Sequence, residues 1–444
     1  MRLMLAALTL VVGSHCLYGA TTESIEDKST HQQSGVIEIA DKENPMKINA
    51  FCLDQKGQIV AVCGNGPGEV RVVDDEGKII ESWEVDVKPE AVNVTSDGSI
   101  LVGGEGKLFR FNATGEKLLE VESPHSKRLR TGNEKLRESA IDSLTRNNNS
   151  LESRITMYES MIERVEKKEK DGEELTASDK QLMKLLPDML ARYKKQFAEQ
   201  EKQESKEPSE EAIQNQIKSM IKSKMRIASI SSADDHVFVT TRGVTGYGYD
   251  VWKLDSEFAN GEVIIEKLSG CCGQMDVQCC KQGIFVAENS RDRVVHYDTD
   301  GKEISHWGKS DRTGINGFSS CCNPMNVCFD SDGGVYTAEA SAGRIKRFDA
   351  EGNLLSYVGD VDLVPGCKNV SIAVSPVNEN IYMLDLTRNH IKVMQPKPAG
   401  SVKEKVEEPK KEIDESVSSK GPAKPRKSAA NFLYGLFSVG AESE

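Results

Sequence analysis

The sequence predicts an all-β fold: a six-bladed β-propeller that is closed by an N-terminal strand and carries an α-helical insertion between blades two and three. A pattern of four short apolar strands separated by glycine turns recurs six times between residues 36 and 394. The turn glycines of neighbouring copies lie one blade length apart, 38 residues from Gly77 to Gly115 and 40 from Gly261 to Gly301. One interval, 124–225, breaks this spacing and changes to a helical period.

The repeat is clearest in the fourth and fifth copies. Each has an apolar second strand that ends in glutamate, at 284–288 and 335–339, and a third strand that opens with arginine, at 293–297 and 344–348. An Asp-x-x-Gly turn follows both. This arrangement resembles the NHL-repeat family of six-bladed propellers. The run Cys-Cys-Asn-Pro at 321–324 resembles a motif of bacterial secreted NHL-like propellers, and this resemblance implies the fold without implying an established activity.

The ends of the repeat predict how the ring closes. The sixth copy stops after its third strand at Met394, and the apolar run 36–40 has no other strand to pair with. We therefore expect 36–40 to form the outer strand of blade six, which removes an open sheet edge. The propeller then consists of 36–123, with the closing strand and blades one and two, and of 226–395, with blades three to six.

The insertion at 124–225 has the pattern of a helical hairpin with an extra helix. Apolar residues from Ile141 to Val165 alternate by three and four, which is a heptad seam. Two interpretations are open. The seam is buried within the hairpin, or it forms a coiled-coil dimer in which the polar Asn148 sets the register.

Local signals divide the insertion into its helices. Asp171-Gly172 marks a break, and Ser178-Asp179 is expected to cap a second helix. Pro187 is expected to kink that helix. Ser209 and the two glutamates after it are expected to open a third helix.

The two ends of the chain have different compositions. Residues 1–20 predict a signal peptide, because Arg2 precedes an apolar stretch of about ten residues that is too short to span a membrane. We therefore expect a secreted or periplasmic protein whose mature form has no transmembrane span. Residues 396–444, rich in Pro, Lys, Glu and Ser, predict a disordered tail. The net charge of -13 argues against a nucleic-acid partner.

Cysteines are the most distinctive chemical feature. Of eleven, five stand where the fourth, fifth and sixth blades begin: Cys271, Cys272, Cys321, Cys322 and Cys367. Equivalent positions at the start of the inner strands predict that they cluster at one mouth of the central channel. Three interpretations remain open: disulfides, which export permits; a soft-metal site of thiolates; and buried thiols that only pack. The cofactor is therefore undetermined, with a soft metal as one candidate.

A second equivalent position carries acids. Glu288, Glu339 and Asp385 end the second strands of the same three blades. The simpler interpretation is that each pairs with the base that opens the third strand, namely Arg293, Arg344 and His390. The alternative is an acidic ring that binds a cation or substrate, as in lactonase-like propellers, whose ligand pattern this sequence does not match. In blade three, Tyr247 and Tyr249 are candidates for ligand contact or for packing.

Two classes of function fit these features. The first is a secreted recognition module that binds a protein or carbohydrate partner on the channel-mouth face, with the insertion beside it and a dimer through the insertion as one option. The second is an enzyme with metal-dependent lactonase, lyase or redox chemistry at the channel. No catalytic residue set stands out, which favours the first.

Overall fold

The structure, a computed structural model, describes residues 28–39, 45–131, 133–172, 174–202, 208–244, 246–311, 315–319 and 322–398. The expected signal peptide at 1–20, Cys321 and residues 399–444 of the expected tail lie outside the described residues. Among the helices that the structure describes, none is long and apolar enough to cross a membrane.

Six four-stranded antiparallel sheets form the blades, which confirms the predicted six-bladed β-propeller. Blades one to five are each built from four consecutive strands, the first of which is the inner one. Blades one to three comprise β2 (Ile48–Leu53), β3 (Ile59–Gly64), β4 (Gly68–Val73), β5 (Ile79–Val85); β6 (Ala91–Val94), β7 (Ile100–Gly104), β8 (Lys107–Phe111), β9 (Lys117–Glu122); and β10 (Ile227–Ala233), β11 (His236–Arg242), β12 (Tyr249–Asp255), β13 (Glu262–Leu268).

The remaining blades follow without interruption. Blades four to six comprise β14 (Asp276–Cys280), β15 (Gly283–Glu288), β16 (Arg293–Tyr297), β17 (Glu303–Trp307); β18 (Asn326–Phe329), β19 (Val335–Glu339), β20 (Arg344–Phe348), β21 (Leu354–Asp360); and β22 (Ile372–Val374), β23 (Ile381–Asp385), β24 (His390–Pro396). The fourth strand of blade six is β1 (His31–Ile37), which pairs antiparallel with β24.

The observed β1 differs from the expected strand at 36–40. It begins five residues earlier and ends at Ile37, so its first half is the polar run His31-Gln32-Gln33-Ser34. Backbone pairing from His31 with Pro396 to Ile37 with Ile391 defines it. The apolar pattern therefore predicted only the last residues of this strand, Val36 and Ile37. The residues before them pair through backbone hydrogen bonds, which on an outer strand require no apolar side chains.

The core lies between blades. Six clusters of buried apolar residues each join one blade to the next around the ring. Second strands such as β3, β15 and β19 are buried along their whole length, because neighbouring blades cover both of their faces. Outer strands such as β5 and β17 are largely exposed.

Hydrogen bonds around the channel add a second connection between blades. In three successive joints, a polar side chain of one blade accepts a backbone N–H from the inner strand of the next blade or, at Val370, from the residues just before it. The donors and acceptors are Val277 N to Ser229 Oγ at 3.1 Å, Val327 N to Asp276 Oδ2 at 2.9 Å, and Val370 N to Asn326 Oδ1 at 3.2 Å. These contacts satisfy backbone donors that the channel wall would otherwise leave buried and unpaired.

The inner strands leave a narrow channel between them. Residues from all six blades line it, among them Phe51, Val92, Ile230, Met275, Val327 and Ile372. The cavity there measures about 50 Å³. This is space for about one or two water molecules and well below the roughly 300–1,000 Å³ of ordinary ligand sites.

A helical insertion is present, and its helices lie between β9 and β10 in chain order. They are α1 (Pro124–Thr131), α2 (Asn133–Lys170), α3 (Ala177–Lys202) and α4 (Glu210–Lys224). The Ser209 hydroxyl caps α4 by accepting the N–H of Ala212. The cap of α3 differs from the expected Ser178-Asp179: Thr176 Oγ1 accepts the N–H of Asp179, and Asp179 accepts the N–H of Thr176 in return, a reciprocal capping arrangement.

The helices of the insertion pack on one another. α2 and α3 run antiparallel, as the ion pair between Glu159 and Lys194 at 2.7 Å and the Tyr158–Tyr193 ring contact show. Seam residues Tyr158 and Val165 are buried in this packing within the single chain.

α4 runs parallel to the first part of α2. Arg137 near the start of α2 binds Glu210 at the start of α4 at 2.6 Å, and Ser143 accepts from Gln216 at 3.2 Å. At the propeller, Ser126 of α1 donates to the carbonyl oxygen of Gly106 at 2.8 Å, and Leu129 is fully buried. The insertion is therefore packed against blade two through α1.

Candidate functional site

Three cysteine thiols from two blades meet beside the channel. The sulfur atoms of Cys271 and Cys322 are 2.8 Å apart, those of Cys272 and Cys322 3.4 Å, and those of Cys271 and Cys272 3.5 Å. We call this set the thiol triad. Among the described residues, it is the one group of three or more metal-ligating side chains whose ligand atoms converge within 4.8 Å.

Two tight loops bring the triad together. The N–H of Gln274 donates to the carbonyl oxygen of Cys271, and the two residues between them, Cys272 and Gly273, have positive φ of 53° and 69°. Positive φ at both central residues is the feature of a type I′ turn. Cys322 also has positive φ, 69°. Cys272 and Cys322 thus adopt this conformation although neither is glycine, and their sulfur atoms lie 3.4 Å apart.

Buried asparagine supports the first of these loops. Asn289 is fully buried, accepts the N–H of Cys271 at 2.7 Å and donates to the sulfur of Met325 at 3.3 Å. Gln274 and Met325 also line the channel, so the first triad loop adjoins the channel wall. The loop is therefore tied to the channel wall through Asn289, a residue that the cysteine pattern of the sequence does not indicate.

The triad thiols differ in environment. Cys322 is buried and Cys272 is exposed. Burial, followed by its contacts with the thiols of Cys271, Cys367 and Cys272, raises the pKa of Cys322. Cys367 thus approaches Cys322 from blade six but does not converge with all three triad thiols. The nine described cysteines form no disulfide bond with one another.

Cations lie against the triad loop. Arg226, just after α4, donates to the carbonyl oxygen of Gly273 at 3.0 Å and to the side chain of Gln274 at 3.3 Å. A nitrogen of the Arg242 guanidinium lies 3.0 Å from where a Cβ on Gly273 would stand. Sequence reasoning missed both arginines, because they belong to blade three and its entry while the cysteines belong to blades four and five.

The three predicted acids do not share a site. Glu288, Glu339 and Asp385 are buried at equivalent positions in separate blades. Each accepts a backbone N–H from the loop that enters its own blade, at Ser269, Ser319 and Val364 respectively. Their shared function in the structure is to fix these entry loops.

The expected ion-pair partners are only partly correct. Glu288 pairs with Arg293 at 2.5 Å as expected. Glu339 pairs instead with Lys346 at 2.8 Å, and both side chains are fully buried. Lys346 faces inward two residues after Arg344, and its ammonium lies 4.4 Å from the centre of the Phe318 ring.

Asp385 also departs from the expected pairing. Its nearest cation is Arg388 at 3.0 Å, while His390 is 3.9 Å away. Arg388 lies in the turn between the second and third strands, so the turn rather than the strand supplies the cation. This carboxylate thus stabilises its own hairpin.

A large groove lies between the insertion and blade three. We call it the arm groove; it measures about 860 Å³. Its lining includes Arg128, Thr131, Glu134 and Lys135 of the insertion, Gly243, Val244, Gly246, Tyr247, Gly248, Asp250, Glu266, Lys267 and Leu268 of blade three, and Ser269, Gly270 and Arg291 near the triad. Its lining includes Tyr247, which the sequence indicated as a candidate for ligand contact.

The two candidate tyrosines differ in their exposure to solvent. Tyr247 lines the arm groove and is 83% exposed. Tyr249 is buried in the core between blades three and four, with the Arg242 guanidinium 5.4 Å from its ring centre. Of the two interpretations, packing therefore applies to Tyr249, because it begins β12 and shares with Val251 the strand face that is turned into the blade interface. Tyr247 lies in the loop before this strand.

A buried lysine holds the loop of the arm groove. Lys224 at the end of α4 donates to the carbonyl oxygens of Gly243 and Gly246 at 2.6 and 2.9 Å. Asp250 below the loop accepts the N–H of Lys267, and burial raises the pKa of the Asp250 carboxyl. No pattern in the sequence connects these residues, because the groove forms only where the chain leaves the insertion and enters blade three.

Comparison with known proteins finds similarity of fold alone. No protein-family model matches the sequence, and no curated protein matches it significantly. Virginiamycin B lyase from Staphylococcus aureus is a similar solved structure, with 10% identity, a TM-score of 0.40 and coverage of 83% of this chain and 89% of that chain. Regucalcin, a calcium-binding protein from Agrobacterium tumefaciens, has 11% identity, a TM-score of 0.42 and coverage of 82% and 93%.

A third similar structure is a WD40 domain. The WD40 domain of Pan2 from Neurospora crassa has 9% identity, a TM-score of 0.41 and coverage of 85% of this chain and 98% of that chain. Identities and scores of this size assign no activity to the chain.

Proposed function

We propose that the protein is an exported, NHL-like recognition propeller that binds an oligosaccharide in the arm groove. The observation that carries the proposal is the distribution of space on the molecule. The arm groove measures about 860 Å³ and the channel about 50 Å³. Ligand sites in proteins usually measure roughly 300–1,000 Å³, so the groove has the size of a ligand site and the channel does not.

The lining of the arm groove suits a neutral ligand with many hydroxyl groups. Its charged side chains nearly balance: Arg128, Lys135, Lys267 and Arg291 face Glu134, Asp250 and Glu266. Carboxylates accept hydrogen bonds from hydroxyls, and guanidinium and ammonium groups donate to them. Tyr247, 83% exposed, offers a ring face on which a sugar can pack.

The alternative is an enzyme with metal-dependent lactonase or lyase chemistry in the channel. Such chemistry needs hard oxygen ligands that converge on one point. Glu288, Glu339 and Asp385 are instead each paired with a cation of their own blade. The acids therefore support structural roles, and the groove supports binding.

Binding of immobilised glycans by the full chain tests the proposal. We expect the protein to bind a restricted set of oligosaccharides on a glycan array, and Tyr247→Ala to weaken that binding by about tenfold. Val377→Ala is the matched control, because Val377 is also an exposed large residue, at 63%, but lies in blade six away from the groove lining. Absence of glycan binding, or equal binding by Tyr247→Ala, would contradict the proposal.

A further inference from the structure

The thiol triad has three features of a preformed metal site. Its sulfur atoms lie within 2.8–3.5 Å of one another. They come from two blades, so the fold and not a local sequence motif assembles them. The positive φ of Cys272 and Cys322 shows that the backbone is held in a conformation that L-residues rarely adopt, which brings the sulfur atoms together.

We propose that Cys271, Cys272 and Cys322 bind one copper(I) ion as thiolates. In this step three S–H bonds break, three Cu–S bonds form and three protons leave to solvent. Copper enters and remains in the +1 state, so neither an oxidant nor a reductant takes part. The bound site carries two negative charges, from three thiolates and one univalent cation.

The number of ligands distinguishes copper(I) from zinc. Structural zinc sites are tetrahedral and use four protein ligands, whereas copper(I) is selected by soft thiolates and is satisfied by three. Within the described residues, no histidine, aspartate or glutamate joins the triad, and Cys367 does not converge with all three thiols. Among the described residues, the converging set is thus three sulfur atoms, the number that copper(I) accepts and one fewer than structural zinc uses.

The surroundings compensate the charge of such a site. Arg226 binds the Gly273 carbonyl and the Gln274 side chain, and Arg242 lies against Gly273. Two guanidinium groups thus stand beside the loop that carries Cys271 and Cys272. Their positive charge offsets part of the negative charge that three thiolates with one copper(I) ion would leave.

The test is an anaerobic titration of the full, reduced chain with copper(I) supplied as its bicinchoninate complex. We expect one copper per chain to be withdrawn from the chelator and an X-ray absorption spectrum with sulfur neighbours only. Cys272→Ser changes an exposed thiol and should therefore fold, and it should weaken binding by at least about tenfold. Cys280→Ser, a half-buried thiol on β14 outside the triad, is the matched control and should bind as the parent does.

Four results would overturn the proposal. The first is failure to withdraw copper under these conditions, and the second is equal binding by Cys272→Ser. The third is zinc that displaces copper(I) at equal concentration, which would indicate a different coordination. The fourth is a disulfide within the triad, detected by a thiol count on protein purified without reductant. A disulfide that persists in the native protein rules out a resident thiolate site. None of these results depends on glycan binding in the arm groove.

Discussion

Some charged residues of this propeller are fully buried, and substitution there is expected to destabilise the fold. Glu339 and Lys346 form an ion pair at 2.8 Å with both side chains fully buried, and Glu339 also accepts the N–H and hydroxyl of Ser319. Burial lowers the pKa of the Lys346 ammonium, but the adjacent carboxylate opposes this shift. Removing the carboxylate leaves a buried cation without a counter-charge.

We therefore expect Glu339→Gln to lower the free energy of unfolding by about 3–5 kcal/mol. Glu303→Gln is the control, because Glu303 pairs with His306 on the exposed rim, and it should cost less than about 1 kcal/mol. Guanidinium chloride denaturation of the three proteins gives both values. The double variant Glu339→Gln/Lys346→Met should recover part of the loss, and equal losses in the two glutamine variants would show that burial of the pair contributes nothing.

A second residue makes stability depend on pH. Burial lowers the pKa of His125 to about 4, and Ser123 Oγ lies 2.6 Å from its Nδ1. The unfolded chain binds this proton below about pH 6.5, while the folded chain binds it only near pH 4. The contribution of His125 to stability is thus complete above pH 6.5 and is lost as the pH falls toward 4.

Acidification from pH 7 to 4.5 should therefore cost about 2–3 kcal/mol through His125 alone. The comparison is between the parent and His125→Gln, whose free energy of unfolding should fall less over this range by that amount. His306→Gln, a change at an exposed imidazole, serves as the control and should keep the parent's dependence. Parallel curves for the parent and His125→Gln would contradict the expectation.

Elements with a regular pattern could be predicted from the sequence, and elements without one could not. The strands β15, β16, β19 and β20 were recognisable because buried apolar runs alternate with glycine turns. α1 was missed, since eight residues give too little periodicity and its burial depends on blade two. The polar half of β1 was missed because only backbone pairing with β24 defines it.

The candidate site shows the same division. Equivalent positions in repeated blades were enough to predict that Cys271, Cys272 and Cys322 meet, because each blade repeats one geometry. The arm groove was not predictable, since Arg128 and Tyr247 are separated by more than one hundred residues of chain and meet only through the path of the insertion. The partner of Glu339 was not predictable either, as the choice between Arg344 and Lys346 depends on which side chain faces inward.

The distal part of the insertion should be separable from the propeller. α1 and Lys224 contact blades two and three, so a deletion must keep them. Because α2 and α4 run parallel from Arg137 and Glu210, the gap left by removing 150–206 is roughly 18 Å, which a Gly/Ser linker of about 12 residues spans.

We expect this variant to keep one cooperative thermal transition within about 5 °C of the parent, since a long surface connection adds little closure entropy. Far-ultraviolet circular dichroism should show the loss of helix with retention of the β signal. A variant that removes 128–224 is the comparison, and it should be less stable because it also deletes Leu129 and Lys224, both buried. Loss of the cooperative transition in the 150–206 variant would place the distal hairpin in the core.

Closure of the ring acts on the whole molecule. β1 covers the edge of β24, and Ile37 and Ile39 are buried in the cluster between blades six and one. Without this strand, β24 presents unpaired N–H and C=O groups along an open edge, which favours association with another chain. Burial of the two isoleucines stabilises the closed ring by about 3–6 kcal/mol.

Two truncations measure this contribution. A chain that starts at residue 28 keeps β1 and should melt as the full chain does, as a monomer in light scattering. A chain that starts at residue 40 lacks β1 and should melt at least about 10 °C lower, given a loss of several kcal/mol, and should associate as its concentration rises. Because all six blades contribute to one continuous ring of interfaces, opening one joint weakens the others, so we expect the transition to broaden as well. A sharp transition at an unchanged temperature in the shorter chain would show that the joint between blades six and one holds without the N-terminal strand.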